Sequence, residues 1–126
     1  MAGSNWKEEM TQYRTTGNRI LAQADIEEMI ANDMKRLEDA TYEYSDQLEA
    51  EAEAAVTFKR KSARMFQTAS GSVRDKEAFA TIESIEEYEE YEKATAKAKA
   101  KREILRMLHA RLESARSLNA NVRNQV

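Results

Sequence analysis

With 126 residues, 34% of them charged, 7% aromatic, three glycines and no proline, the chain is the size of one domain and suits long helices rather than sheets. The absence of cysteine excludes disulfides, thiolate metal sites and a cysteine nucleophile, and agrees with a reducing cytoplasm. The net charge of −3 makes no case for nucleic acid by itself, and no stretch approaches the ~20 apolar residues of a membrane span or the apolar core of a signal peptide, so a cytoplasmic protein without a membrane role is expected.

Residues 1–24 read as a separate arm. Trp6, Met10 and Tyr13 fall on one helical face before Thr15, Thr16 and Gly17 interrupt it. So short an apolar face does not stand alone, and docking on the rest of the chain or on another subunit is expected. The hairpin domain then occupies residues 25–126. Asp25 has the spacing of an N-cap with Glu28 three residues on. From Ile26 an apolar stripe runs through Ile30, Met34, Leu37, Thr41, Tyr44, Leu48, Ala52, Ala55, Phe58, Ser62 and Phe66 at a step of about 3.6 residues, the period of one long helix.

Ser70, Gly71 and Ser72 end that helix and cap the next, with Asp75 three residues after Ser72. The second helix is expected to run unbroken from Val73 to Arg123. Tyr91, Ala98, Leu105, Leu112 and Asn119 recur in it every seventh residue, with Ala94, Lys101, Leu108, Ala115 and Val122 as the companion set of a coiled-coil seam. Asn119 reads equally as a register-fixing seam residue and as part of a solvated end. Folding at the turn gives an all-α, long antiparallel helical hairpin, coiled-coil-like, with a short N-terminal helical arm. The expected pairing sets Phe58 beside Ile82, Leu37 beside Leu105, Met34 beside Leu108, Ile30 beside Leu112 and Ile26 beside Ala115.

Two helices bury one stripe each, which hardly offsets the entropy of ordering so long a chain. A homo-oligomer is therefore expected, with Trp6, Met10, Tyr13, Met29, Ile104 and Met107 at the subunit contact.

Charge is segregated along the chain. Residues 25–53 hold eleven acidic and two basic residues, residues 83–92 six acidic and none basic, and residues 93–123 nine basic and two acidic. The acidic first helix thus faces the basic end of the second, and ion pairs across the hairpin are expected. This leaves the turn basic. Lys59, Arg60, Lys61, Arg64, Arg74 and Lys76 gather there with Phe66 and its neighbours Phe58 and Phe79. Cations interleaved with aromatics suit a nucleic-acid strand. The same pattern also reads as cations at a helix C-terminus beside phenylalanines that plug the end of a core.

Little suggests catalysis. His109 is the one histidine and reads as a partly buried structural residue; Glu83, Glu86, Glu87 and Glu90 read as a solvated acidic face rather than a cation site. No nucleophile triad, phosphate-binding glycine loop or dinucleotide fingerprint is present. A non-enzyme with no cofactor or metal is expected, and a structural or adaptor protein, such as a phage scaffolding protein, is the alternative to nucleic-acid binding.

The run Lys61-Ser62-Ala63-Arg64-Met65-Phe66 before the Ser70-Gly71 turn, with Leu108, Leu112-Glu113-Ser114-Ala115-Arg116 and Val122-Arg123 near the end, resembles the phage recombination-mediator family typified by UvsY. The resemblance covers residues 30–123 at low identity. It implies a small helical, ring-forming protein in the host cytoplasm that binds single-stranded DNA and helps a recombinase displace the single-strand-binding protein. Arg64 falls on a basic position of the family's DNA-binding run. Ser62 departs from it, standing where that run tends to have lysine.

Overall fold

The computed structural model describes residues 19–124, and side chains from Gln23 onward. Of the expected arm, residues 1–18, with Trp6, Met10 and Tyr13, lie outside the described residues, and residues 19–24 are helical. Three helices follow in order: α1 (Arg19–Thr68), α2 (Val73–Glu83) and α3 (Ile85–Asn124). The two long ones pack antiparallel as a helical hairpin, with no strand among the described residues.

Asp25 is not an N-cap, because α1 already includes Arg19. The stretch Arg19-Ile20-Leu21-Ala22-Gln23-Ala24 contains good helix formers and no breaker, so nothing stops the helix at Asp25. The turn forms where Gly71 is placed. Ala69 N–H reaches back to the carbonyls of Met65 (3.1 Å) and Phe66 (3.4 Å), and Gly71 takes φ +105°, a left-handed conformation that costs glycine nothing. Any side chain there would be strained, and a Cβ would come 2.8 Å from Asp75 Oδ2. Ser72 and Asp75 then form a reciprocal capping box, each backbone N–H donating to the other's side-chain oxygen at 3.2 Å.

The second half of the hairpin is not one helix. Ser84 separates α2 from α3; it is fully buried, and its hydroxyl donates to the Ala80 carbonyl at 2.6 Å. That carbonyl also accepts from the Ser84 N–H at 3.1 Å, and the Ser84 backbone, at φ −108° and ψ 15°, departs from helical values.

The hairpin divides into two compact units. In the first, residues 19–41 pack with residues 104–124. Ile26, Met29, Ala40, Leu112 and Ala115 are buried, and Ile30 and Leu118 pack against Met29 and Ala115. A charged pair is buried with them. Arg111 Nε donates to Asp33 Oδ2 at 2.7 Å, while Arg36 stands 3.6 Å from Oδ1, too far for a hydrogen bond. In the second unit, residues 42–103, an aromatic cluster replaces an aliphatic core: the Phe58 ring meets Tyr88 edge-on at 5.3 Å and stacks on Tyr91 at 6.3 Å. Ala80, Ser84 and Ala98 are its buried residues.

These contacts correct the expected pairing. Met29, not Ile26, packs on Ala115, and Arg111 and Lys101 reach Asp33 and Glu43, a shift of about three residues and close to one helical turn. Ile82, expected beside Phe58, is 68% exposed, and Met34, expected in the seam, is 51% exposed. Met29 is buried in the core of its own chain and so is not offered to a second subunit, whereas Ile104 and Met107 remain exposed. His109 is exposed rather than partly buried. Asn119 is helical and half-buried with its Oδ1 enclosed and unbonded, which favours the seam reading over a solvated end.

Candidate nucleic-acid interface

The cations around the turn are spread over more than one face of α1. Successive residues turn by about 100°, so Arg60 and Arg64, four apart, share the outward side, whereas Lys59 and Lys61 fall on opposite flanks. Lys59, Arg60 and Arg64 are exposed and Lys61 is half-buried. On the other side of the turn, Arg74 is exposed in the first turn of α2 and Lys76 is half-buried.

One flank is a shallow groove. Lys59 lines it with Phe58, Ser62, Ala63, Phe66 and Gln67 of α1 and with Glu77, Ala80 and Thr81 of α2. Lys76 extends over the Phe66 ring, its Nζ 5.9 Å from the centroid. The structure thus brings Lys59, Phe66 and Lys76 to one side and leaves Lys61 off it. Phe58, whose ring is held by Tyr88 and Tyr91, is a packing residue. Phe79 is 39% exposed, so it does not plug the core.

Among the described residues none of Lys59, Arg60, Lys61, Arg64, Arg74 and Lys76 takes part in an ion pair. Pairs across the hairpin join Arg111 to Asp33 and Lys101 to Glu43 instead. The basic patch also has a sharp boundary within its unit. A second groove is lined by Glu53, Glu86, Glu87 and Glu90 with Ala50, Ala54 and Thr57, a surface that repels phosphate. No cluster among the described residues could hold a metal ion, and no helix there is long and apolar enough to cross a membrane.

Charge also marks Tyr88, on the rim of the aromatic cluster. The Glu92 carboxylate raises its phenol above the ordinary value, by its charge first and then by a hydrogen bond. Sequence reasoning missed this pair, the Ser84 interruption and the buried Asp33–Arg111 contact. The last joins residues 78 apart in the chain, beyond the reach of any local pattern.

No family model, curated protein or solved structure gives a significant match to this chain.

Proposed function

We propose that the protein binds single-stranded DNA at the turn of the hairpin and acts, without chemistry of its own, as a recombination mediator that assists recombinase loading. The observation that carries the binding reading is the set of six unpaired cations at the turn, with Phe66 beside Lys59 in one groove. Phosphates gain from each lysine or arginine that neutralises them, and an aromatic ring gives a base a surface to stack on. The mediator role, the recombinase and the single-strand-binding protein rest on the resemblance of the basic run and late heptads to the UvsY-like family. A ring or other homo-oligomer belongs to the same proposal, supported by exposed Ile104 and Met107.

Fluorescence anisotropy with a labelled oligonucleotide at low salt tests the binding reading. Dissociation constants in the range of about 1 to 100 μM or tighter are expected, as for sequence-independent contacts. No binding at high micromolar protein contradicts it.

A second reading, an assembly or adaptor protein, is favoured by one observation. Phe79, Ile82 and Ile85, at 39, 68 and 46% exposure, form an uncovered apolar run on α2 and the start of α3. Light scattering with and without oligonucleotide separates the two. Assembly without any response to DNA favours the adaptor.

A further inference from the structure

The apolar seam does not by itself choose how the two long helices pair. With Ile26 on Ala115 or with Met29 on Ala115, apolar side chains meet apolar ones, and the alanines along both helices accept either offset. The capping box and Gly71 fix the pairing next to the turn. Their hold weakens with distance along a 50-residue helix.

The two offsets differ in where they put charge. In the observed pairing Arg111 Nε meets Asp33 Oδ2 at 2.7 Å, with Asp33 1% and Arg111 5% exposed. In the other unit Lys101 Nζ meets Glu43 Oε2 at 2.8 Å. Asp33 to Glu43 and Lys101 to Arg111 are both steps of ten residues, so a single offset satisfies both pairs. A slip of about one turn, to the pairing that the apolar stripe alone suggests, sets Asp33 against Leu108 and Arg111 against Ile30. The 2.7 Å bond between the two buried charges is then lost and each faces an apolar side chain instead, a costly change in a core.

We infer that Asp33 and Arg111 form the register lock of the hairpin: a buried ion pair whose role is to exclude the pairing slipped by one turn. Glu43 and Lys101 are partly exposed and add a weaker constraint in the same sense. The lock acts as a buried polar residue does at a coiled-coil seam, where it selects one register among several that apolar packing allows.

The chain has no cysteine, so introduced pairs report register directly. Met29→Cys with Ala115→Cys should form a disulfide under equilibrating thiol buffer, and Ile26→Cys with Ala115→Cys should form little, because the bridge tolerates only a narrow range of separations. Replacing Asp33 by Leu and Arg111 by Met keeps the space filled and removes the charges. The ratio of slipped to native cross-link should then rise at least about tenfold. An unchanged ratio overturns the lock, as does ready formation of the slipped cross-link in the parent. Should the double substitution lose its helicity by circular dichroism, the ratio is read on Asp33→Asn, which keeps shape and loses charge. A rise there supports the lock and an unchanged ratio overturns it.

Discussion

Residues 19–41 with 104–124 enclose Ile26, Met29, Leu112, Ala115 and a buried ion pair, whereas residues 42–103 bury little beyond Ala80, Ser84 and Ala98 among the described residues. The second unit instead holds an aromatic cluster and keeps Tyr42, Leu48, Val56, Phe79, Ile82, Ile85 and Tyr88 between 39 and 68% exposed. One unit spends its side chains on a core and the other on its surface. The difference teaches where each kind of substitution should act: stability in the first unit, binding in the second.

The largest expected effect is in the first unit. Truncating Asp33 or Arg111 alone to alanine breaks the 2.7 Å bond between two buried charges and should cost about 3 to 5 kcal/mol, read from the midpoint and slope of urea unfolding. Leu112→Ala should cost about 2 to 5 kcal/mol in the same assay. Losses below about 0.5 kcal/mol at all three sites would mean that this unit has no real core.

In the second unit Phe58→Ala should cost about 1 to 3 kcal/mol, less than a fully buried phenylalanine, because the ring is half-buried and its partners are rim tyrosines. A cost as large as that of Asp33→Ala would erase the contrast between the units. Lys59→Ala, Arg64→Ala and Lys61→Ala should each change stability by no more than about 0.5 kcal/mol. Their effects on oligonucleotide binding should differ: Lys59 lines the groove with Phe66 and Lys61 does not, so Lys59→Ala should weaken binding more. Equal losses would place the strand across the outward face rather than in the groove.

The smallest effect is at Tyr88. Its phenol is held above the ordinary value of about 10 by Glu92, so the folded state keeps this proton more tightly than the unfolded state. The contribution to stability is fully present below pH about 10 and is lost as pH rises through the folded value. In an absorbance titration of the tyrosinates, Glu92→Gln should shift one of the five tyrosines to a lower midpoint. An unmoved titration curve would show that Glu92 does not control the phenol.

The hairpin was legible in the sequence because its signals are local and periodic: an apolar stripe of helical period, a glycine flanked by serines, and Ser72 followed by Asp75. The pairing of the helices was not. Alanine-rich seams fit several offsets, and the contact that selects one lies between Asp33 and Arg111, each of which reads in isolation as a surface charge. Ser84 is not legible as a break because serine inside a helix is ordinary, and it is the backbone conformation at Ser84 that separates the two helices. The cations of the candidate site were legible as a set. Their division between the two flanks and the outward side of α1 required the helix phase, and the lysine over Phe66 required side chains.

The central functional claim is that the cations at the turn contact phosphate, and the salt dependence of oligonucleotide binding measures it most directly. Replacing Lys59, Arg64 and Lys76 together with alanine should leave the helical signal unchanged. It should weaken binding similarly for every sequence and flatten the plot of log K against log salt by about 0.7 per lost contact on a single strand. Binding with the parent's slope after all three substitutions would contradict the claim and reduce the turn to a helix end with favourable charges.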